Sequence, residues 1–316
     1  MTKPSKAILY LILFFTAVNS ITFLIGISIV FYYKLNFLIA SGLILFLCIT
    51  TALILSIIIT TSAPIFKEYM ATYRRLLRLD NLSHPLLLKL SQEAPGTYYH
   101  SLAVANLAYQ VAKDLELNSI LTRVGAYFHD IGKLNDPQFF IENQQGLNPH
   151  KQISNLKSAE IIKRHITEGI ELARDSGLPN EVIDFIPEHA GTTLISYFYN
   201  LAENSGEDPK KSDYKNPGTK PKSLETAIVM IADSLEAKLR LLPEVNKKNA
   251  SDTIDQVFSD KIEQNQFNIL DLKEKTIEIL KKSFLAVSLA QFHNRIAYPE
   301  RIKKSTAKRR QKKAKK

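Results

Sequence analysis

Two apolar runs open the chain, from Ala7 to about Tyr33 and from about Phe37 to Ile65. Each exceeds the roughly 20 residues that a helix needs to cross a bilayer. The connection "YKLN" is short, so the pattern predicts a two-helix transmembrane hairpin. A signal peptide is the competing reading of the first run. The run is too long for that, and a second span follows at once. Lys3 and Lys6 precede the first span, Lys67, Arg74, Arg75 and Arg78 follow the second, and only Lys34 lies in the turn. That asymmetry places both ends in the cytoplasm. Asn19, Ser20 and Thr50 read as helix-contact groups, not as a transport path.

After Ile65 the apolar spacing is helical. "KEYMATYRRLLRLDNLSHPLLLKLSQ" predicts a basic amphipathic helix that breaks near Pro85. Further periodic segments fall at about 98–116, 119–131, 155–176, 180–189, 192–202, 222–242, 250–264 and 271–293. Asp271 with Glu274 has the spacing of a capping box. "SGEDPKKSDYKNPGTKPK" reads as a long loop. No strand alternation stands out, so the expected fold is all-α. The expected organisation is a hairpin in 1–66, a juxtamembrane coupling helix in 67–93, a helical domain in 94–300 and a basic tail in 301–316.

Charge sharpens this division. The net charge of +10 sits in the tail, "RIKKSTAKRRQKKAKK", and the rest of the chain is close to neutral. A neutral body excludes a broad nucleic-acid-binding surface. The tail is expected to be a solvated extension, with anionic lipid or RNA as its alternative contact. The single cysteine, Cys48, lies in an apolar run and rules out a disulfide framework or a cysteine-based zinc site.

The chemistry lies in the histidines. His100 is near a helix start, His129 and Asp130 end an apolar helix in "GAYFHDIGK", His165 is mid-helix, and His189 ends "EVIDFIPEHAG". Asp233 stands inside the apolar segment "AIVMIADSLEAKL". Buried carboxylates are rarely left unpaired. Any one of these residues alone reads as a core or capping group. Together they point to a shared metal centre, since imidazole and carboxylate suit iron, manganese or zinc. A carboxylate has two oxygens and can bridge two ions, which together can clamp a phosphate. His84 and His293 read as structural, and His150 fits either role.

These residues resemble a family. "HDIGK", with a histidine before it, a mid-helix histidine after it and a late "ADS" aspartate, is similar to the pattern of HD-domain metal phosphohydrolases. "EAPGTYYHSLAVANLA", "FFIENQ", "NPH", "GTTLISYFY", "NPGTKPKS" and "FHNRIAYPE" narrow the resemblance to the PgpH, or seven-transmembrane-receptor HD, type over about residues 64–302. The resemblance implies a phosphodiesterase at a bacterial cytoplasmic membrane that hydrolyses cyclic di-AMP to linear pApA. It implies that His100, His129, Asp130 and Asp233 hold one metal. Asp130 then bridges to a second metal held by His165 and His189, and Lys133 stands near the phosphate. Iron or manganese is the implied pair, and a homo-oligomer is an open expectation.

Two departures carry weight. The family usually has two adjacent histidines before "GTT", but here the pair reads His189–Ala190. The second metal site is therefore expected to be weakened, unless water or Glu188 completes it. The family carries seven spans and an extracytoplasmic sensor, whereas the two spans expected here resemble the last two of the seven. A degenerate HD domain that binds nucleotide or a partner without efficient turnover is the alternative reading.

Overall fold

The computed structural model describes residues 3–34, 36–144, 146–270 and 272–292. His293, Asp271 and the basic tail lie outside the described residues. The chain divides after Leu79 into two compact units.

The first unit is helices α1 (Lys3–Tyr32) and α2 (Phe37–Leu79), joined by a tight turn with Lys34 at φ 47°. The two helices pack against each other. A Cβ on Gly26 would sit 3.6 Å from a Leu47 side-chain carbon. Much of the remaining apolar surface has no protein cover: Leu38 is 75% exposed, Phe46 63% and Ile57 61%. Large uncovered apolar surface marks contact with lipid or another protein. Leu38–Leu79 is long and apolar enough to cross a membrane by length and composition. The described apolar part of α1, Thr16–Tyr32, is shorter than that criterion. α2 runs unbroken past Pro64 to Leu79, so the basic segment after the apolar run continues the same helix.

The second unit is all-helical; among the described residues the only β-pairing is one isolated bridge, Leu194 to Lys215. It contains α3 (Pro85–Glu93), α4 (Pro95–Asp114), α5 (Ser119–Phe128), α6 (Asn155–Asp175), α7 (Asn180–Ile183) and α8 (Phe185–Ala190). α9 (Ser196–Asn204), α10 (Leu224–Leu239), α11 (Lys247–Glu263) and α12 (Glu274–Gln291) follow. α10 is the axis of the domain. Its residues Ala227 to Ala232 are completely buried, as expected of a stretch that is apolar on every face. α4, α5, α8 and α11 pack around it. Each fully buried core side chain such as Phe128, Phe185 or Ile228 contributes roughly 1.5–3 kcal/mol.

Side-chain caps set several helix starts. Asn118 accepts from the Leu121 amide at 3.1 Å and Ser154 from the Lys157 amide at 3.2 Å. Ser223 and Thr226 form a capping box at the head of α10. Each cap is worth about 1 kcal/mol. The loop between α9 and α10 is pinned as well. The Ile195 amide donates to the Tyr214 carbonyl at 2.8 Å, and the Asn216 amide donates to the Thr193 carbonyl at 2.9 Å. Tyr214 is buried, and Gly218 lies so close to α8 that a Cβ there would meet the Gly191 oxygen at 2.7 Å. This loop therefore holds the end of α8, where His189 sits.

Candidate metal centre

α5 ends at Phe128, not at 131 as its periodicity suggests. His129 is the C-cap, Asp130 adopts φ −114° and ψ 15°, and a 3₁₀ turn follows over Ile131–Leu134. The chain thus leaves the helix where both polar side chains turn inward. Gly132 permits the turn to lie directly on α6. A Cβ there would meet the His165 carbonyl oxygen, and would stand 2.7 Å from the Gly169 nitrogen.

The buried Asp130 carboxylate is the hub. Its Oδ2 lies 3.2 Å from His129 Nε2 and 3.6 Å from His100 Nε2. Its Oδ1 lies 3.6 Å from both His165 Nε2 and His189 Nε2. Asp233 Oδ1 is 3.0 Å from His100 Nε2 and 4.0 Å from His129 Nε2. Two three-residue groups suited to a metal share Asp130: His100, His129 and Asp130 on one side, and Asp130, His165 and His189 on the other. The helices α4, α5, α6, α8 and α10 each bring one part of this set together from distant sequence positions.

The residues present fit a pair of ions. His129 Nε2 and Asp130 Oδ1 are buried without a hydrogen-bond partner, although both face the centre. Leaving such groups unpaired costs about 1–3 kcal/mol each. His165 Nε2 and His189 Nε2 stand 3.5 Å apart, so both ring nitrogens are placed to meet one ion.

Protonation agrees with this use. Burial lowers both His165 and His189, the latter to about 3, so both rings are neutral and offer a lone pair near neutral pH. Burial would raise Asp130, but His129 and Lys133 hold it well below its ordinary value. Burial would raise Asp233 too, but its hydrogen bond and charge attraction to His100 keep it ionised. His100 goes the other way. Burial pulls it down, yet hydrogen bonds to Asp233 and Glu236 raise it to about 10. In the metal-free protein it is therefore an imidazolium between two carboxylates.

Lys133 is held in this network. Its Nζ donates to Asp130 Oδ2 and to Glu142 Oε1, each at 2.7 Å. Burial would lower the ammonium, but the two carboxylates raise it. Glu142 also accepts from Thr97 Oγ1 at 3.0 Å, and Asn143 Oδ1 accepts from the Thr97 amide at 3.1 Å. "FFIENQ" is thereby fastened to the start of α4. Close approach requires Gly96, where a Cβ would stand 2.8 Å from Asn143 Oδ1 and closer to the Glu142 backbone.

Among the described residues, the other two histidines, His84 and His150, do not join the centre. His84 caps α3, its Nδ1 accepting from the Leu86 amide at 3.3 Å. His150 donates from Nε2 to the Phe139 carbonyl at 2.7 Å and packs on Phe139 and Phe198. One expectation is corrected. Glu188 is not available to replace the missing imidazole. Its Oε2 accepts from Thr226 Oγ1 at 2.7 Å and from the Lys222 amide at 2.9 Å, while its Oε1 lies 3.4 Å from Lys222 Nζ. It fastens α8 to the head of α10 instead. Glu236 and Glu142 were missed. Their only signals were Glu236's place three residues after Asp233, on one helix face, and Glu142's place in "FFIENQ".

The chain is similar to known HD-domain proteins. The HD-domain family profile matches residues 97–238. The chain is 41% identical over 231 residues to "Cyclic-di-AMP phosphodiesterase PgpH" of Bacillus subtilis (strain 168), covering 73% of this chain and 32% of that protein. It is 40% identical over 240 residues to the protein of the same name from Listeria monocytogenes, covering 75% of this chain and 33% of that one. The chain thus spans about a third of the length of these curated relatives. The crystal structure of the L. monocytogenes PgpH HD domain in complex with cyclic-di-AMP aligns with a TM-score of 0.65 at 40% identity. That alignment covers 68% of this chain and 100% of that one. A second crystal structure of the L. monocytogenes PgpH HD domain aligns with a TM-score of 0.63 at 39% identity, covering 67% of this chain and 100% of that one.

Proposed function

The chain belongs to the HD-domain family, and from that premise we propose that it is a membrane-anchored, metal-dependent phosphodiesterase that hydrolyses cyclic di-AMP to pApA. The observation that carries the chemistry is the bridging placement of Asp130, with one oxygen towards His100 and His129 and the other towards His165 and His189. On this reading His100, His129, Asp130 and Asp233 hold one divalent ion, and Asp130, His165 and His189 hold the other. Iron or manganese is the pair we favour. Such a pair supplies charge neutralisation at a phosphodiester and activates water for its hydrolysis.

The remaining roles fall to the chain's own groups. Asp130 and Asp233 stay ionised and give the centre its negative charge. Lys133, held by Glu142, keeps a positive charge beside Asp130, placed to meet phosphate oxygens. The choice of adenine rests on the relatives, whose names specify cyclic di-AMP. The membrane anchor rests on the hairpin in 1–66 and on the uncovered apolar surface of α2. The charge pattern puts the catalytic domain in the cytoplasm.

Ala190 favours a second reading. The half of the centre with His165 and His189 has one imidazole fewer than the family pattern, and Glu188 is committed elsewhere. That half should bind its ion more weakly, and at the extreme the domain binds nucleotide without turnover. The test is incubation of the purified full chain, in detergent and with added Mn²⁺ or Fe²⁺, with a panel of cyclic dinucleotides. Release of pApA from cyclic di-AMP supports the enzyme. Binding of a dinucleotide without hydrolysis at any metal concentration supports the degenerate binder instead.

A further inference from the structure

The four centre histidines are not oriented alike. His129, His165 and His189 each turn Nδ1 to a backbone carbonyl in their own turn, those of Ala126, Ile162 and Ile186. His100 turns Nδ1 to a carboxylate, Glu236 Oε2, at 2.6 Å. Glu236 is 1% exposed, so it is a buried acid that the metal set itself does not use. Its other oxygen, Oε1, accepts from Arg240 Nε at 2.8 Å and pairs with the Arg240 guanidinium. Arg240 lies one turn on in the chain, and its side chain is half-exposed.

We propose that Glu236 is a positioning residue that fixes His100 with Nε2 towards Asp130 and Asp233, and that it makes the two halves of the centre unequal. This rests on the metal-centre reading above. A carboxylate behind a ligating imidazole fixes its tautomer and ring angle and makes it a stronger donor, and losing such a partner typically costs 10–100-fold in metal affinity. A neutral carbonyl orients a ring but adds no charge. Only the His100 half has the carboxylate support, whereas the His165 and His189 half has carbonyl support and lacks a histidine at Ala190. Arg240 holds the Glu236 charge in place from the solvent side. The two ions should therefore differ in strength, with the His100 half the tighter.

The test is metal retention by the full chain in detergent, loaded with Mn²⁺ and dialysed against graded EDTA, with bound ions counted by atomic emission. Wild type is compared with Glu236→Ala and Glu236→Gln; the glutamine keeps an acceptor for Nδ1–H with little change of shape. All three are repeated with His165→Ala, which weakens the other half so that the retained ion reports the His100 half. The expected result is 10–100-fold weaker retention of that ion in Glu236→Ala and an intermediate loss in Glu236→Gln, with circular dichroism unchanged. Should Glu236→Ala fail to fold, the glutamine decides. A merely structural role would loosen both ions together, and that outcome overturns the proposal. Equal retention in wild type and Glu236→Gln, with Glu236→Ala equal or unfolded, also overturns it and leaves the metal centre standing. A wild type that binds no ion overturns the metal centre itself, and this proposal with it.

Discussion

Gly132→Ala tests how the "HDIGK" turn builds the centre. The turn over Ile131–Leu134 lies on α6 with no side chain between them. The added Cβ would stand 2.7 Å from the Gly169 nitrogen and 2.8 Å from the His165 carbonyl carbon, with the His165 oxygen nearer still. Optimal carbon contacts lie at about 3.5–4.0 Å, so the two backbones must part by about 1 Å. Neither is a flexible side-chain end. Overpacking of this kind costs about 1–3 kcal/mol, or roughly 2–12 °C in melting temperature for a domain of this size. Parting moves His165 away from Asp130, and a 1 Å misplacement can cost about 100-fold in rate. Gly169→Ala is the graded control. Its Cβ would meet an Ile186 methyl at 3.1 Å and the Gly132 nitrogen at 3.2 Å. That tightness is set against a helix-propensity gain of about 1 kcal/mol, so the change should be nearly neutral. Differential scanning calorimetry and cyclic di-AMP turnover read both variants. Wild-type melting and turnover in Gly132→Ala, or a larger loss in Gly169→Ala, would refute the reasoning.

Two further outcomes follow. Ala190→His should raise occupancy of the His165 and His189 half in the same Mn²⁺ assay and speed hydrolysis at low metal; unchanged stoichiometry with an intact fold would show that no imidazole is wanted there. The metal-free protein should lose stability at both ends of the pH range. His100, raised to about 10, contributes stability that is complete below the unfolded value of about 6.5 and is lost as pH rises towards 10. His189, lowered to about 3 by burial, costs nothing above about 6.5 and progressively more as pH falls towards 3. The slope for each is at most about 1.4 kcal/mol per pH unit, and urea melts in chelator that stay flat from pH 7 to 10 would contradict the His100 assignment.

The sequence made much of the site legible because helices impose few reasons for a buried His or Asp. His129, Asp130, His165 and Asp233 stand out against apolar faces, and the structure brings them within a few ångströms although they span more than 100 positions. Glu236 and Glu142 did not stand out, because an acid in a mixed helix or a loop ordinarily faces solvent. Only the packing of α10 on α4 turns Glu236 inward. Glu188, offered beside water as a substitute ligand, stays out of the centre for a related reason: adjacency in sequence to His189 does not place two side chains on one side of a helix, and Glu188 faces Thr226. The end of α5 at Phe128 was hidden because the apolar period continues through Ile131, while the backbone turns to aim Asp130. Hydropathy changes near Ile65, beside Pro64, but the helix does not end there: α2 continues through the proline to Leu79.

The central claim is that Asp130 joins two ions into one hydrolytic centre. Its most direct test is Asp130→Ala in the full chain, with bound metal and cyclic di-AMP hydrolysis measured on the same sample beside wild type. Removing the carboxylate takes a ligand oxygen from both halves at once, so the account predicts loss of turnover together with loss of metal from both. Wild-type hydrolysis by Asp130→Ala, or loss of a single ion with the other held at wild-type strength, would contradict it.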